Sequence, residues 1–174
     1  RESEVGGVLM LRIGVISDTH GNLTFASKAL NLWGKVDCIL HAGDGYRDAL
    51  ALAKMAGCPA YAVCGNTDGV FSPTEELVDL QDLTEEDLKV HKILLTHGHE
   101  FSPATREVRL ADLAKRRGAQ IAVYGHTHQP YSSYHSGILV FNPGSPFRPR
   151  MSERSCGLIE IDDRKISAKH LNIP

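Results

Sequence analysis

The sequence predicts an α/β fold in which two mixed β-sheets pack face to face and helices flank them, a four-layer α-β-β-α sandwich. Two observations carry this prediction. In the first half of the chain, short apolar runs alternate with helical stretches, as in βαβ units with a parallel sheet. In the second half, short strand-like runs follow one another across turn sequences, as in antiparallel pairs.

The length fits one domain. With 174 residues and roughly 150 residues per domain, we expect a single domain over residues 10–174. Residues 1–9 are expected to be a tag or a disordered extension ahead of Met10.

The first half contains three predicted strands and two predicted helices. Residues 11–17 form a short run rich in β-branched side chains that ends at a polar loop, which is typical of a buried strand. The other elements are a helix over residues 24–33 capped by Thr24, a strand over 38–42, a helix over 48–56 that Gly57 and Pro59 end, and a strand over 60–64.

The second half is predicted to be mostly strands. An acidic turn joins two of them, over residues 76–83 and 90–96, and an amphipathic helix over 106–117 ends at Gly118. A strand over residues 121–124 follows. The last four predicted strands cover residues 131–135, 138–141, 156–161 and 165–171.

Composition argues against several classes of protein. A formal net charge of −2 and an aromatic content of 6% argue against a sequence-specific nucleic-acid partner. No apolar run reaches the roughly 18 residues of a membrane helix. The four cysteines lack CxxC spacing and are expected to be free thiols, as in a cytoplasmic protein. Trp33, Phe71 and Phe101 fit either a core or an interface, so a homo-oligomer stays open.

Polar side chains follow five successive predicted strands. Parallel α/β sheets place function in the loops after the carboxyl ends of their strands, so these loops are the candidate site. Their sequences are SDTHGN, HAGDG, GNTDG, HGHE and GHTH. They contain Asp18, His20, Asp44, Asn66, Asp68, His97, His99, His126 and His128.

Carboxylate, imidazole and carboxamide groups without thiolate indicate a hard or borderline divalent metal ion, such as Mn, Fe, Ni, Zn or Co. The set is larger than one tetrahedral ion needs, and two ions bridged by a carboxylate would use it. Each loop alone also fits an ordinary turn or cap, and only the five in order favour a site. His41 lies inside a predicted strand and is expected to be a hydrogen-bonded core residue. His97 ends its strand directly, so we favour it over His99 as a ligand.

The ordered series DxH, GD, GNxD, HGH and GHTH, over about residues 13–145, resembles the calcineurin-like metallophosphoesterases. The small size and the following NPGS resemble the compact bacterial and archaeal phosphodiesterase branch, which is also similar to the retromer subunit that keeps this fold as a scaffold. The two-sheet sandwich of the family agrees with the layers predicted above.

The resemblance implies two divalent metal ions, with Mn expected and Ni, Fe, Zn or Co as alternatives. It places one ion at Asp18, His20, Asp44 and His128. It places the second at Asp44, Asn66, His97 and His126, so that Asp44 bridges and Asn66 also touches the phosphate. We further expect Asp68 to accept a hydrogen bond that orients a ligand imidazole.

One position departs from the family pattern. Many members have GNH where this chain has Thr67, and that histidine is the proposed acid for the leaving group. A threonine hydroxyl cannot replace it as a general acid near neutral pH. His99 is the nearest candidate for this catalytic role. Thr67 and Arg148 are expected to contact substrate together with Asn66, although an arginine in a Pro-rich loop also fits a solvated surface.

The resemblance therefore implies a metal-dependent phosphodiesterase that hydrolyses a small-molecule or nucleotide-like phosphodiester by attack of a metal-bridging hydroxide. A phosphomonoesterase is one alternative. A metal-binding interaction scaffold without turnover is the other.

Overall fold

The computed structural model describes residues 10–69, 73–162 and 165–174. The tag or extension expected over residues 1–9 and the apolar position Phe71 lie outside the described residues. The described strands are β1 (Leu11–Ile16), β2 (Cys38–His41), β3 (Ala60–Ala62), β4 (Glu75–Asp79), β5 (Lys92–Thr96), β6 (Ile121–Val123), β7 (Pro130–His135), β8 (Ile138–Pro143), β9 (Ser155–Ile161) and β10 (Ile166–Asn172). The described helices are α1 (Leu23–Ala26), α2 (Lys28–Trp33), α3 (Tyr46–Ala56) and α4 (Arg106–Arg116).

The strands form two five-stranded mixed sheets, ordered β10-β9-β1-β2-β3 and β4-β5-β6-β8-β7. In the first sheet β1, β2 and β3 are parallel, and β9 pairs antiparallel with β1 and β10. In the second sheet β5, β6 and β8 are parallel, and β4 and β7 pair antiparallel at the edges. The predicted strands of the tail are therefore divided between the two sheets, and β8 also has a parallel neighbour.

Three layers of apolar side chains hold the sandwich together. Ile13 and Val15 of β1 point between the sheets and pack with side chains such as Val123 and Phe141. Ile16, on the outer face of the same strand, packs with helices α1 to α3. Helix α4 covers the outer face of the second sheet, against Leu94 and its neighbours. This is the predicted four-layer α-β-β-α order.

Trp33 belongs to the core. Its side chain is 1% exposed, and its indole N–H donates a 2.7 Å hydrogen bond to the carbonyl of Gly157. The indole covers Gly14 so closely that a Cβ there would lie 2.7 Å from the ring. Phe101 packs partly buried against the α4 layer. Cys38, Cys64 and Cys156 are buried, Cys58 is half-buried, and all four are free thiols.

Two predicted boundaries are wrong. Asn22, and not Thr24, caps the first helix, because its side chain accepts a hydrogen bond from the N–H of Phe25, and the helix is interrupted at Ser27. The strand predicted over residues 76–83 ends at Asp79, whose side chain caps a 3₁₀ turn over Leu80–Leu83. No helix in the described ranges has the length and apolar character needed to cross a membrane.

Candidate metal centre

The five loops selected from the sequence meet at one end of the sandwich. Backbone hydrogen bonds join the first two loops, from the N–H of Asp18 to the carbonyl of Gly43 and from the N–H of His20 to the carbonyl of Asp44, both 2.9 Å. The N–H of His126 donates to Asp18 Oδ2 at 3.0 Å and so connects the two sheets. Strands of both sheets therefore hold one shared set of side chains.

Asp18, His20 and His128 form the first group. The Nε2 atoms of His20 and His128 lie 3.3 Å apart, and Asp18 Oδ1 lies 3.2 Å from His128 Nε2. His128 Nδ1 lies 2.6 Å from the carbonyl oxygen of Arg148. A proton on Nδ1 for that hydrogen bond leaves the Nε2 lone pair facing the group, as a metal-ligating imidazole requires.

Asp18, Asp44 and His97 form the second group. His97 Nε2 lies 3.4 Å from Asp44 Oδ2 and 3.0 Å from Asn66 Oδ1, while His97 Nδ1 lies 2.7 Å from the carbonyl of Ala42. Asp18 belongs to both groups of three, within which the ligand atoms all lie within 4.8 Å of one another. Asp18 is therefore shared by the two groups, whereas the predicted bridge Asp44 belongs to the second group.

His126 and His99 lie beside the second group. The ring centroid of His126 is 5.2 Å from that of His97, and the ring of His99 is 5.4 Å from His97 and 6.1 Å from His126. The Nδ1 atom of His99 is buried and has no hydrogen-bond partner among the described residues. His99, which the sequence placed behind His97 as a ligand candidate, therefore lies next to two predicted ligands.

The donor set fits a divalent cation. Asp18 Oδ1 is buried and lies 3.2 Å from His128 Nε2, but it has no hydrogen bond of good geometry within the described residues, whereas the other oxygen accepts from Ser17 Oγ and the N–H of His126. A buried carboxylate oxygen without a donor is costly unless a cation occupies the space before it. Oxygen and imidazole ligands without thiolate suit Mn, Fe, Ni, Co or Zn.

The backbone of the site is strained. Among the described residues, seven that are not glycine have a positive φ, and five of these are predicted ligands. Left-handed backbone is unfavourable for a residue with a Cβ and persists only where the surrounding structure enforces it. The five are Asp18 (56°), His20 (49°), Asp44 (53°), His126 (66°) and His128 (59°).

Carboxylates and imidazoles shift one another's protonation. Burial alone would lower the pKa of His97, but the nearby Asp44 and Asp18 carboxylates raise it above its ordinary value. The Asp18 carboxylate likewise raises the pKa of His128. Burial would raise the pKa of Asp44, but the neighbouring His97 and the N–H of Thr67 hold it well below its usual range. Burial instead lowers the pKa of His20 and of His126. In the ligand-free site, protonation is therefore favoured at His97 and His128 but not at His20 and His126, and a bound cation would replace those protons.

The predicted role of Asp68 is wrong in its detail. Its carboxylate accepts no hydrogen bond from an imidazole among the described residues. Oδ1 accepts hydrogen bonds from the N–H groups of Gly45 and Tyr46, and Oδ2 accepts from Gly65, at 2.8 to 3.1 Å. Asp68 thus fixes the loop that presents Asp44. Backbone carbonyls orient the imidazoles instead, as described above for His97 and His128.

His41 is the buried, hydrogen-bonded core residue expected from the sequence. Its Nδ1 accepts from the N–H of Gly43, and its Nε2 lies 2.9 Å from the hydroxyl of Thr19. That hydroxyl donates at 2.5 Å to Asp48, which also accepts from the N–H of Gly21. The network joins α3 to the loop of the first ligand group. Burial lowers the pKa of His41 to about 4.

His41 makes the stability of the ligand-free protein depend on pH. The folded protein keeps His41 neutral down to pH about 4, whereas the unfolded chain binds a proton near pH 6.5. As the pH falls from 6.5 to 4, the unfolded state gains more protons, and the free energy of unfolding should fall by about 3 kcal/mol from this residue. Urea unfolding at several pH values should show the loss in the wild type and a smaller loss in His41→Gln. Equal pH dependence of the two proteins would contradict the assignment.

A cleft of about 350 Å³ opens over the ligands and is lined by His20, Asp44, Asn66, Thr67, His126, His128, Arg148, Pro149 and Arg150. Arg148 also lines a neighbouring polar cleft of about 440 Å³ with Arg47 and Thr67. Arg154, a third arginine of the loop after β8, is not among the residues that line the cleft over the ligands and lies over the ring of Phe25, with its Cζ 4.2 Å from the centroid.

Sequence reasoning missed Arg106. This residue is 6% exposed and lines a further cleft of about 530 Å³ beside His126. Its position in the sequence was a usable signal. A cation at the first position of a helix interacts unfavourably with the helix dipole, so an arginine there indicates some other role.

The family description "Calcineurin-like phosphoesterase superfamily domain" matches residues 11–164. The chain is 31% identical to a "Probable metallophosphoesterase" of Methanocaldococcus jannaschii over 97% of this chain and 84% of that protein. It is 29% identical to the phosphodiesterase YfcE of Escherichia coli K12, over 88% and 89% of the two chains. The solved structure of a predicted phosphoesterase from Streptococcus pneumoniae TIGR4 is similar, with a TM-score of 0.75, 30% identity and coverage of 95% and 91%.

Proposed function

The chain belongs to the calcineurin-like phosphoesterase superfamily, and from this membership and the clustered ligands we propose that it is a phosphodiesterase with two divalent metal ions. The observation that carries the proposal is the convergence of two sets of imidazoles on the paired carboxylates of Asp18 and Asp44. The reaction converts a phosphodiester and water into a phosphomonoester and an alcohol.

Each predicted ligand has a role in this proposal. Asp18, His20, Asp44 and His128 would hold one ion, and Asp44, Asn66, His97 and His126 the other, with Asp18 able to contact both. When bound, two such ions neutralise phosphoryl oxygens and lower the pKa of the attacking water. The carbonyls of Ala42 and Arg148 keep the Nδ1 protons of His97 and His128 in place, so that both Nε2 atoms face the centre.

The protein's own charges orient the substrate. Arg148 and Arg150 line the cleft above the ligands. Their guanidinium groups are suited to an anionic phosphodiester, because N–H donors in a planar fork match phosphate oxygens. The exposed side chains of Asn66 and Thr67 lie at the same opening. Asn66 is proposed to contact the phosphate through its amide group.

Thr67 cannot protonate a leaving group, and His99 is our candidate for that task. We expect His99→Ala to lower kcat/KM for methyl phenyl phosphate by about tenfold or more. Methyl p-nitrophenyl phosphate should lose less, because p-nitrophenolate departs without a proton. Steady-state kinetics on both esters measures the difference, with His99→Gln as a variant that keeps polarity without a useful pKa. Unchanged turnover of the phenyl ester would exclude His99.

The direct test of the proposed function is hydrolysis of bis(p-nitrophenyl) phosphate beside p-nitrophenyl phosphate, with metal-stripped protein titrated with Mn. We expect turnover that depends on Mn and prefers the diester. Preference for the monoester would keep the site and change the substrate class to that of a phosphomonoesterase.

Thr67 also favours one alternative. Without the family histidine, the chain fits a metal-binding scaffold that interacts with other proteins and has no useful turnover. Two bound metal ions without hydrolysis of either ester would support the scaffold. Failure to bind any divalent metal would overturn both proposals, since both use the same ligands.

A further inference from the structure

A second cleft adjoins the candidate metal centre. Its volume is about 530 Å³, and it shares His126 and Arg150 with the cleft above the ligands. Pro103, Met151 and Gln129 form parts of its wall. A substrate with phosphorus at the ligands would therefore have room for one of its two ester groups in this space.

Arg106 is the unusual residue of this cleft. It is 6% exposed, and its guanidinium donates to neutral carbonyls: Nε to Gly98 at 3.1 Å and Nη2 to Phe101 at 3.2 Å. No carboxylate in the described part of the chain forms an ion pair with it. A buried charge is normally paired, since the loss of hydration is otherwise only partly offset.

The location of Arg106 makes a purely structural role less favourable. It is the first residue of α4, where the partial positive charge of the helix disfavours a cation. Arg150 approaches the same cleft from the loop after β8, and its backbone N–H donates to the carbonyl of His128 at 3.1 Å. Its side chain also has no acidic partner among the described residues. Two guanidinium groups thus line one cleft, and neither forms an ion pair with a carboxylate in the described ranges.

From this arrangement we infer that the second cleft binds an anionic group, a carboxylate or a phosphate, at the end of one arm of the phosphodiester substrate. The inference rests on the proposed function and deepens it by naming the substrate class. A guanidinium carries five N–H donors, and the two hydrogen bonds of Arg106 to carbonyls leave others for an anion. Arg150, which lines both clefts, would lie beside the arm that joins the reacting phosphorus to the terminal anion.

The test compares substrates that share one leaving group. The p-nitrophenyl phosphodiester of 4-hydroxybutyrate carries a free carboxylate, its methyl ester carries none, and the p-nitrophenyl phosphodiester of 3-hydroxypropyl phosphate carries a terminal phosphate. For the wild type we expect kcat/KM to be about tenfold or more higher for at least one charged substrate than for the methyl ester. The preferred charged substrate identifies the anion.

Variants then locate the preference. The measured quantity is the kcat/KM of the substrate with an anionic arm divided by the kcat/KM of the methyl ester. Arg150→Gln and Arg106→Gln should each reduce this ratio toward one. Arg109→Gln is the matched control, because Arg109 lies exposed on the same helix and does not line the cleft. It should keep the wild-type ratio. Arg106→Gln also removes hydrogen bonds to the carbonyls of Gly98 and Phe101 and could disturb that loop, whereas Arg150→Gln leaves these hydrogen bonds in place.

A binding measurement separates this inference from the proposed function. Titration of metal-free protein with glutarate, and separately with inorganic phosphate, should shift the NMR signal of the Arg106 Nε–H. The anion subsite would be overturned if the wild type hydrolysed the anionic-arm substrates and the methyl ester with equal kcat/KM. It would also be overturned if both arginine variants kept the wild-type ratio. Either result would leave the proposed phosphodiesterase intact. Absence of turnover for every ester would overturn the proposed function, and the NMR titration would still decide whether the cleft binds an anion.

Discussion

Replacing Asp44 by asparagine is expected to lower kcat/KM for bis(p-nitrophenyl) phosphate by about a thousandfold, or about 4 kcal/mol of transition-state stabilisation. Asp44 is buried, and its two carboxylate oxygens have different neighbours. Oδ1 accepts from the N–H of Thr67 at 2.9 Å, and Oδ2 lies 3.4 Å from His97 Nε2. Asparagine keeps the size of the side chain but removes the negative charge that would hold two cations close together.

Asp68→Asn is the matched control, because it removes one carboxylate charge from the same group of loops. Among the described residues, Asp68 accepts hydrogen bonds only from backbone N–H groups, so its loss should weaken the loop and reduce kcat/KM by less than about tenfold. Steady-state kinetics and thermal unfolding on all three proteins measure both effects. Equal losses in the two variants, or an Asp44→Asn variant within tenfold of the wild type, would contradict a ligand role for Asp44.

Gly65→Ala is expected to weaken Mn binding by about a hundredfold or more, because a side chain there collides with a predicted ligand. A Cβ on Gly65 would overlap Asp44 Oδ1 and lie 2.6 Å from the Asp44 backbone nitrogen and 2.8 Å from its Cγ. Well-packed sites cannot absorb such contacts without moving the backbone. The Asp44 loop would have to shift away from His97, and a ligand displaced in this way costs metal affinity.

Calorimetric titration with Mn measures this effect, and circular dichroism confirms that the variant is folded. Gly57→Ala is the control. Gly57 has a φ of +68°, and a Cβ added there would have no neighbour within 4 Å among the described residues, so alanine should cost about 1 kcal/mol of stability through backbone strain alone. Mn affinity should then be that of the wild type. A Gly65→Ala protein that binds Mn as tightly as the wild type would show that the Asp44 loop is free to adjust.

Much of the fold follows from sequence pattern. The alternation of apolar runs and helical stretches predicted the parallel β1-β2-β3 unit, and α3 and α4 differ from their predicted bounds by only a few residues. The boundaries that failed depend on local side-chain hydrogen bonds. Asn22 competes with Thr24 as a helix cap, and Asp79 turns the chain out of β4. Hydrophobic periodicity contains no information about either choice.

The distribution of the last strands could not be predicted in the same way. Turn signals identify antiparallel neighbours such as β7 and β8, but they do not say which sheet a pair joins. β9 and β10 cross to the first sheet, where β9 pairs with β1 and β10 pairs with β9, whereas β7 and β8 stay in the second. This choice depends on contacts between residues far apart in the chain, such as the packing of Phe141 against Gly157.

The candidate site was predicted as a set of loops, and its internal arrangement came only with the structure. The motif order selected side chains that do meet at one end of the sandwich. Three features depend on the conformation of the loops, namely the place of Asp18 in both groups, the position of His99 beside His97 and His126, and the backbone contacts of Asp68. That conformation includes left-handed backbone at five predicted ligands. The hydrophobic pattern does not single out Arg106, because this residue begins an amphipathic helix whose periodicity predicts packing alone.

The measurement that tests the central claim most directly is titration of the metal-stripped protein with Mn, followed by calorimetry and by electron paramagnetic resonance. Two ions should bind per chain, and their spectrum should show exchange coupling between neighbouring Mn ions. Asp44→Asn should remove the coupling. Binding of a single uncoupled ion, or of none, would contradict a two-metal centre built from Asp18, Asp44 and the surrounding histidines.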